Sequence, residues 1–193
     1  ELGLPLDKPL VVSVWGSLGA ENMNEVMCRF IELAGKKPGF TLIHSAGIEG
    51  YEKMVEHLRR TVPDYEKNGM DVREYIYDMP RVMAAADLVL CRAGASTISE
   101  LTYMHKPTIF VPSPFVTNNH QFKNAKVVED AGGALIFEEG WFEPKELLKA
   151  VNDILSSDDK LEKMSAAMAK LAKPEATDMI CDRIFSLLAE NRK

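Results

Sequence analysis

The stretch RAGASTISE, residues 92–100, sets one glycine, two alanines and three hydroxyl side chains between an arginine and a carboxylate. A turn needs one or two special residues, not such a row. Small residues let a ligand come close to the main chain, and Gly94 has no Cβ to block it. If Ala95, Ser96 and Thr97 open a helix, their N–H groups and hydroxyls point at an anion such as a phosphate. Glu100 follows one turn later. A carboxylate repels phosphate but accepts hydrogen bonds from an uncharged diol, as the acid–ribose contact of dinucleotide folds does. The same letters also read as a capping box, TISE, and one glutamate can serve both roles. Arg92 either neutralises phosphate charge or bridges loops.

Three more stretches carry chemistry-bearing residues. GSLGA (16–20) holds Gly16 and Gly19 ahead of a helix start; it reads as an anion loop or as a tight turn with a small-residue contact. No Gly-Lys-Ser/Thr follows it, so it is not a Walker loop, and the third glycine of a dinucleotide fingerprint is missing. PSPFVTNNHQFKNA (112–125) crowds Asn118, Asn119, His120, Gln121 and Asn124 at a helix start. Amides donate and accept, which suits sugar hydroxyls; the other reading is an exposed loop with an asparagine cap. IYDM (76–79) offers main-chain groups at Ile76 to a base edge, or is a plain turn with Asp78 as N-cap. The other histidines, His44, His57 and His105, read as strand-end, surface and loop residues.

Something must hold these loops on one rim. Apolar, β-branched runs at 9–16, 40–47, 70–77, 87–94, 107–114 and 133–139 alternate with amphipathic segments of helical length. Strands apolar on both faces, each followed by a helix, predict a Rossmann-like, doubly wound α/β parallel sheet of about six strands. All four unusual loops follow strands, and ligands in such sheets bind at the strands' carboxyl ends. From Pro144 onward the chain reads as helix, and Pro174 divides that region. This predicts a domain over 1–173 and a C-terminal arm over 174–193.

Composition narrows the function. The chain has 193 residues, 46% of them apolar, enough for a core. A net charge of -6 argues against a general nucleic-acid binder. Cys28, Cys91 and Cys181 fit no disulfide or metal spacing and point to a reducing compartment. No metal or cofactor is expected, no Ser-His-Asp order stands out, and no run has membrane-spanning length. The first residues, ELGLPLDKP, read as a helix tail and linker, as in an excised or processed piece.

In order along the chain, GSLGAENMN, YIYDM, ADLVLCRAGASTISEL, KPTIFVPSPFVTNNHQFKNA and PEATDMI closely resemble the C-terminal half of the MurG family of peptidoglycan N-acetylglucosaminyltransferases. The resemblance covers essentially the whole chain, and its two long middle motifs are specific. It implies the C-terminal half of a GT-B glycosyltransferase, with UDP-GlcNAc as the ligand and no cofactor. By the same resemblance Ser17 lies near the diphosphate, Ile76 meets the uracil through its main chain, and Ala95, Ser96 and Thr97 cradle the α-phosphate. Glu100 binds the ribose hydroxyls, and Gln121 and Asn124, with His120 beside them, reach the GlcNAc hydroxyls. Gly16, Gly19, Asn24, Arg92 and Gly94 support these loops. The family's first loop begins Gly-Gly-Ser; here Trp15 stands in place of the first glycine.

The resemblance also implies an N-terminal half, outside this chain, that holds the base, binds the lipid I acceptor and meets the cytoplasmic face of the bacterial membrane. The full enzyme then acts as a peripheral inverting transferase, and the present chain binds donor without transferring sugar alone. Rival expectations are the donor subunit of a naturally split transferase, a UDP-GlcNAc 2-epimerase, and a nucleotide-binding scaffold without chemistry.

Overall fold

The computed structural model describes residues 7–16, 18–36 and 38–190. In chain order the elements are β1 Leu10–Val14, α1 Glu21–Ala34, β2 Thr41–Ser45, α2 Tyr51–Thr61, β3 Met70–Arg73, α3 Met79–Ala85, β4 Leu88–Cys91, α4 Ala95–Tyr103, β5 Thr108–Phe110, α5 His120–Asp130, β6 Ala134–Ile136, α6 Pro144–Leu155, α7 Asp158–Leu171 and α8 Ala176–Glu190. The six strands form one sheet in the order β3-β2-β1-β4-β5-β6, and every neighbouring pair is parallel. The chain winds outward in both directions from β1 and β4, which makes their boundary the topological switch point. The predicted α/β class and strand number agree with this architecture.

Side chains alternate across the strands, so each face of the sheet builds its own core. Val11, Leu42, Leu88, Leu90 and Ile109 pack against Met23, Met27 and Phe30 of α1, Leu58 of α2 and Leu147 and Val151 of α6. Val12, Ile43, Val89 and Phe110 face Val82 of α3, Leu101 of α4, Val128 of α5 and Met168 of α7.

Several strands end sooner than their apolar runs predict. β5 stops at Phe110 because Pro112 and Pro114 bring no N–H to a ladder. β1 stops at Val14, before Gly16 turns to a φ of 102°. β3 ends at Arg73, so Ile76 lies in the loop beyond the strand rather than at its tip. The helical tail breaks around Pro174, and no residue of α8 is buried.

Candidate functional site

The β1–α1 loop is set by main-chain contact with the β2–α2 loop. Gly19 has φ 80°, and a Cβ there would lie 2.2 Å from the Ala46 carbonyl oxygen. Gly47 faces it across the contact, and a Cβ there would lie 2.2 Å from the Leu18 carbonyl oxygen. The need for glycine at 19 therefore arises inside the fold. Gly16 differs: its φ requires glycine, yet no atom lies within 4 Å of its Cβ position. Ser17 lies outside the described residues.

Behind this loop runs a buried polar chain. Ser13 Oγ lies 3.0 Å from His44 Nδ1, and His44 Nε2 lies 3.2 Å from Asn24 Oδ1. Asn24 Nδ2 donates to the Ala46 carbonyl at 2.8 Å. This pattern assigns the proton to His44 Nε2, with Nδ1 accepting from the serine hydroxyl. Burial holds His44 neutral by lowering its pKa to about 3. His44, expected at a strand end, is the fourth residue of β2 and wholly inside. Asn24, expected beside the ligand loop, uses both amide atoms to hold that loop's scaffold.

The β4–α4 junction presents the open donors the sequence suggests. Gly94 is the N-cap in an extended conformation, and no side chain caps the helix. The Ile98 N–H makes the first bond back to the Gly94 carbonyl, at 2.9 Å. The N–H groups of Ala95, Ser96 and Thr97 have no partner among the described residues, which leaves three donors at the positive end of the helix dipole. The capping-box reading of TISE fails: Thr97 is the third helical residue rather than the cap, and Glu100 projects to solvent one turn on.

The β5–α5 loop reaches the same rim. Asn118 and Asn119 take left-handed φ values of 55° and 51°, a conformation asparagine tolerates better than most residues. His120 Nδ1–H donates to the Thr117 carbonyl at 3.0 Å and stays exposed. Gln121 Oε1 accepts from the Ser113 N–H at 2.9 Å, and Asn124 Nδ2 donates to the Ala93 carbonyl at 3.3 Å. Gln121 Nε2 and Asn124 Oδ1 remain unpartnered among the described residues. Ile76 is buried against the core, while its main-chain N–H and C=O bond to none of the described residues.

Beside the switch point these loops enclose a cleft of about 420 Å³, lined by Trp15, Gly19, Arg92, Ser113, Gln121 and Glu139 among others. Of the residues singled out in the sequence, Trp15, Gly19, Arg92 and Gln121 line it. Ile76, Ala95, Ser96, Thr97, Glu100, His120 and Asn124 are not among its lining residues. Glu139, which the sequence reading missed, pairs with Arg92 at 2.6 Å with both side chains largely buried, and Asn22 Nδ2 donates to its other oxygen at 3.2 Å. Arg92 also donates to the Val111 carbonyl at 2.9 Å and lies 5.8 Å from the centre of the Trp15 ring. Arg92 thus takes the loop-bridging role. The signal for Glu139 was its place after the sixth strand, on the same carboxyl rim. Among the described residues no cluster of His, Cys, Asp and Glu fits a metal ion, and no helix is long and apolar enough to cross a membrane.

Comparison with known proteins adds the lineage. The glycosyltransferase family 28 C-terminal domain matches residues 10–180. The UDP-N-acetylglucosamine--N-acetylmuramyl-(pentapeptide) pyrophosphoryl-undecaprenol N-acetylglucosamine transferase of Acetivibrio thermocellus is 36% identical over 188 residues, covering 97% of this chain and 50% of that protein. The crystal structure of Acinetobacter baumannii MurG superposes with a TM-score of 0.81 at 29% identity, covering 94% of this chain and 53% of that one. The Neisseria meningitidis UDP-GlcNAc 2-epimerase shares the fold, with a TM-score of 0.66 at 14% identity over 95% of this chain and 45% of that one. The chain spans about half the length of the curated relatives it matches. By the extent of that match and the sheet that carries it, this chain belongs to the glycosyltransferase family 28 C-terminal domain family.

Proposed function

We propose that this chain is the UDP-GlcNAc-binding half of an inverting transferase that moves GlcNAc to a lipid-linked muramyl acceptor, lipid I, in peptidoglycan synthesis. The observation that carries the reading is the set of three open N–H groups at Ala95, Ser96 and Thr97, beside a cleft at the switch point of the sheet. Family membership and the activity for which the relatives are named support it. In this reading the α4 N-terminus takes the α-phosphate, and the Gly16 turn lies against the diphosphate. The Ile76 main chain pairs with the uracil edge, and Glu100 accepts from the ribose hydroxyls. Gln121 and Asn124 offer their remaining amide atoms to the sugar, with His120 at the mouth.

In the reaction the acceptor hydroxyl oxygen forms a bond to the anomeric carbon while the bond from that carbon to the phosphate oxygen breaks. UDP leaves with the electron pair, and the acceptor proton passes to a base on the other half of the protein. This chain's contribution is electrostatic: fixed N–H groups stabilise charge growing on the leaving phosphate. The acceptor site and the membrane contact belong to the half the relatives carry beyond this chain, and α8 packs across to it. The chain alone binds donor without transferring it.

Titration with UDP-GlcNAc, UDP-GalNAc and a GDP-sugar tests the reading, with UDP-GlcNAc expected to bind tightest. Glu100→Ala is expected to weaken UDP by about 1–3 kcal/mol through lost charged hydrogen bonds. Because Glu100 is exposed, thermal stability should not change. Equal affinity for all three sugars, or an unchanged UDP affinity in the variant, removes the assignment. GlcNAc transfer to lipid I by this chain alone refutes the division of labour.

A further inference from the structure

The cleft wall contains a donor without an acceptor. Trp15 is 3% exposed and lines the cleft, and its Nε1 is buried with no hydrogen-bond partner among the described residues. An indole N–H only donates, and leaving it unpaired inside a protein costs stability. Close by, Glu139 Oε2 touches Arg92 as an ion pair at 2.6 Å yet makes no well-aligned hydrogen bond. Two polar atoms with unmet hydrogen-bonding capacity thus share one wall.

Charge decides what kind of partner fits there. The charged side chains of the lining are Arg92, Glu139 and Glu21. Glu139 cancels Arg92, and Glu21 is paired with Lys53 at 2.7 Å. No positive charge remains on that wall to hold phosphate, and the open N–H groups of α4 lie outside the lining. An uncharged, hydroxyl-rich group suits it: Trp15 Nε1 and Gln121 Nε2 can donate, and Glu139 can accept. Nε1 has no solvent exposure, so neighbouring side chains must give way as the ligand enters.

We infer that Trp15 is a specificity-determining residue that donates its indole N–H to a hexose oxygen of the nucleotide sugar. The inference rests on the donor-binding reading above and adds a contact that a glycine at this position cannot make.

Trp15→Phe keeps an aromatic six-membered ring at the site and removes the N–H together with the rest of the pyrrole ring, so loss of packing is separated from loss of the contact by comparing the two ligands. Calorimetric titration of the 193-residue chain is expected to show UDP-GlcNAc weakened roughly three- to tenfold, with UDP unchanged. Unchanged affinity for both ligands, or an equal loss for both, overturns the inference while leaving the donor-binding reading in place. A wild-type chain that binds neither ligand overturns both. Should the variant fail to fold, Trp141→Phe supplies a second measurement. The chain has two tryptophans, and Trp141 is 87% exposed, so the variant leaves Trp15 as the sole indole fluorophore. Its emission should change on saturation with UDP-GlcNAc and not with UDP; matching responses to the two ligands reject the contact.

Discussion

His44 shows what one residue can conceal. In TLIHS it sits among apolar neighbours, and nothing local says whether it faces water or the interior. Its partners lie 31 and 20 residues away. Ser13 meets it because the parallel register of β1 and β2 aligns the two positions, and register is a property of the assembled sheet. Asn24 was expected to support the ligand loop, and its amide serves His44 and Ala46. The network predicts a pH effect. Burial lowers the folded-state pKa to about 3 against an ordinary value of 6.5, so the unfolded chain takes up this proton first as pH falls. The stabilisation is complete above pH 6.5 and declines with acid, by up to about 1.4 kcal/mol per pH unit. Ser13 and Asn24, the groups bonded to the ring, do not titrate. His44→Gln should be less stable at pH 7 and show a flatter stability profile from pH 6 to 5. Denaturant melts across that window check this; an equal slope in both proteins contradicts it.

At the scale of elements, alternation of apolar runs with amphipathic segments was enough to read six strands and their covering helices. Strand lengths were not legible, because an apolar run continues past the point where ladder bonding stops. Proline ended β5, and a glycine turn followed β1. The rim loops were found because they follow strands, and the α4 N-terminus was read two ways, as an open anion site and as a capped helix start. Its competing capping box was resolved only by where the helix starts. The two glycines of the first loop looked equivalent in sequence and are not. Gly16→Ala meets backbone strain alone, at about 1 kcal/mol. Gly19→Ala adds collision with the Ala46 carbonyl, 2.2 Å from the new Cβ, and should lose well over about 2 kcal/mol. Chemical denaturation of the two variants should reproduce that ranking. Equal losses would mean that the loop can move away from Ala46.

The whole molecule is a two-faced sheet with a bare helix at its end. Met179, Ile180, Ile184, Phe185 and Leu188 of α8 are all exposed, and no residue of the helix is buried. Removing residues 174–193 should therefore change the stability of the isolated chain by no more than about 0.5 kcal/mol. A thermal melt of the truncated chain checks this, and a large loss would show that the arm grips the sheet domain. The family was legible at this scale because five ordered motifs matched it across nearly the whole length. The neutral charge pairing at Arg92 and Glu139 was not, since it joins loops 47 positions apart in sequence.

Between Gly19 and Ala46 the first two rim loops touch backbone to backbone, and the Gly47 N–H in turn reaches the Glu74 carbonyl at 3.0 Å, two residues ahead of Ile76. Three successive loops are thereby strung together like links, from the diphosphate end of the proposed nucleotide to its base end. Main-chain atoms, not side chains, make these joints. The spacing is consequently insensitive to side-chain changes except at the two glycines, and a lesion at residues 46–47, remote from the sugar, would mistune it along its entire length.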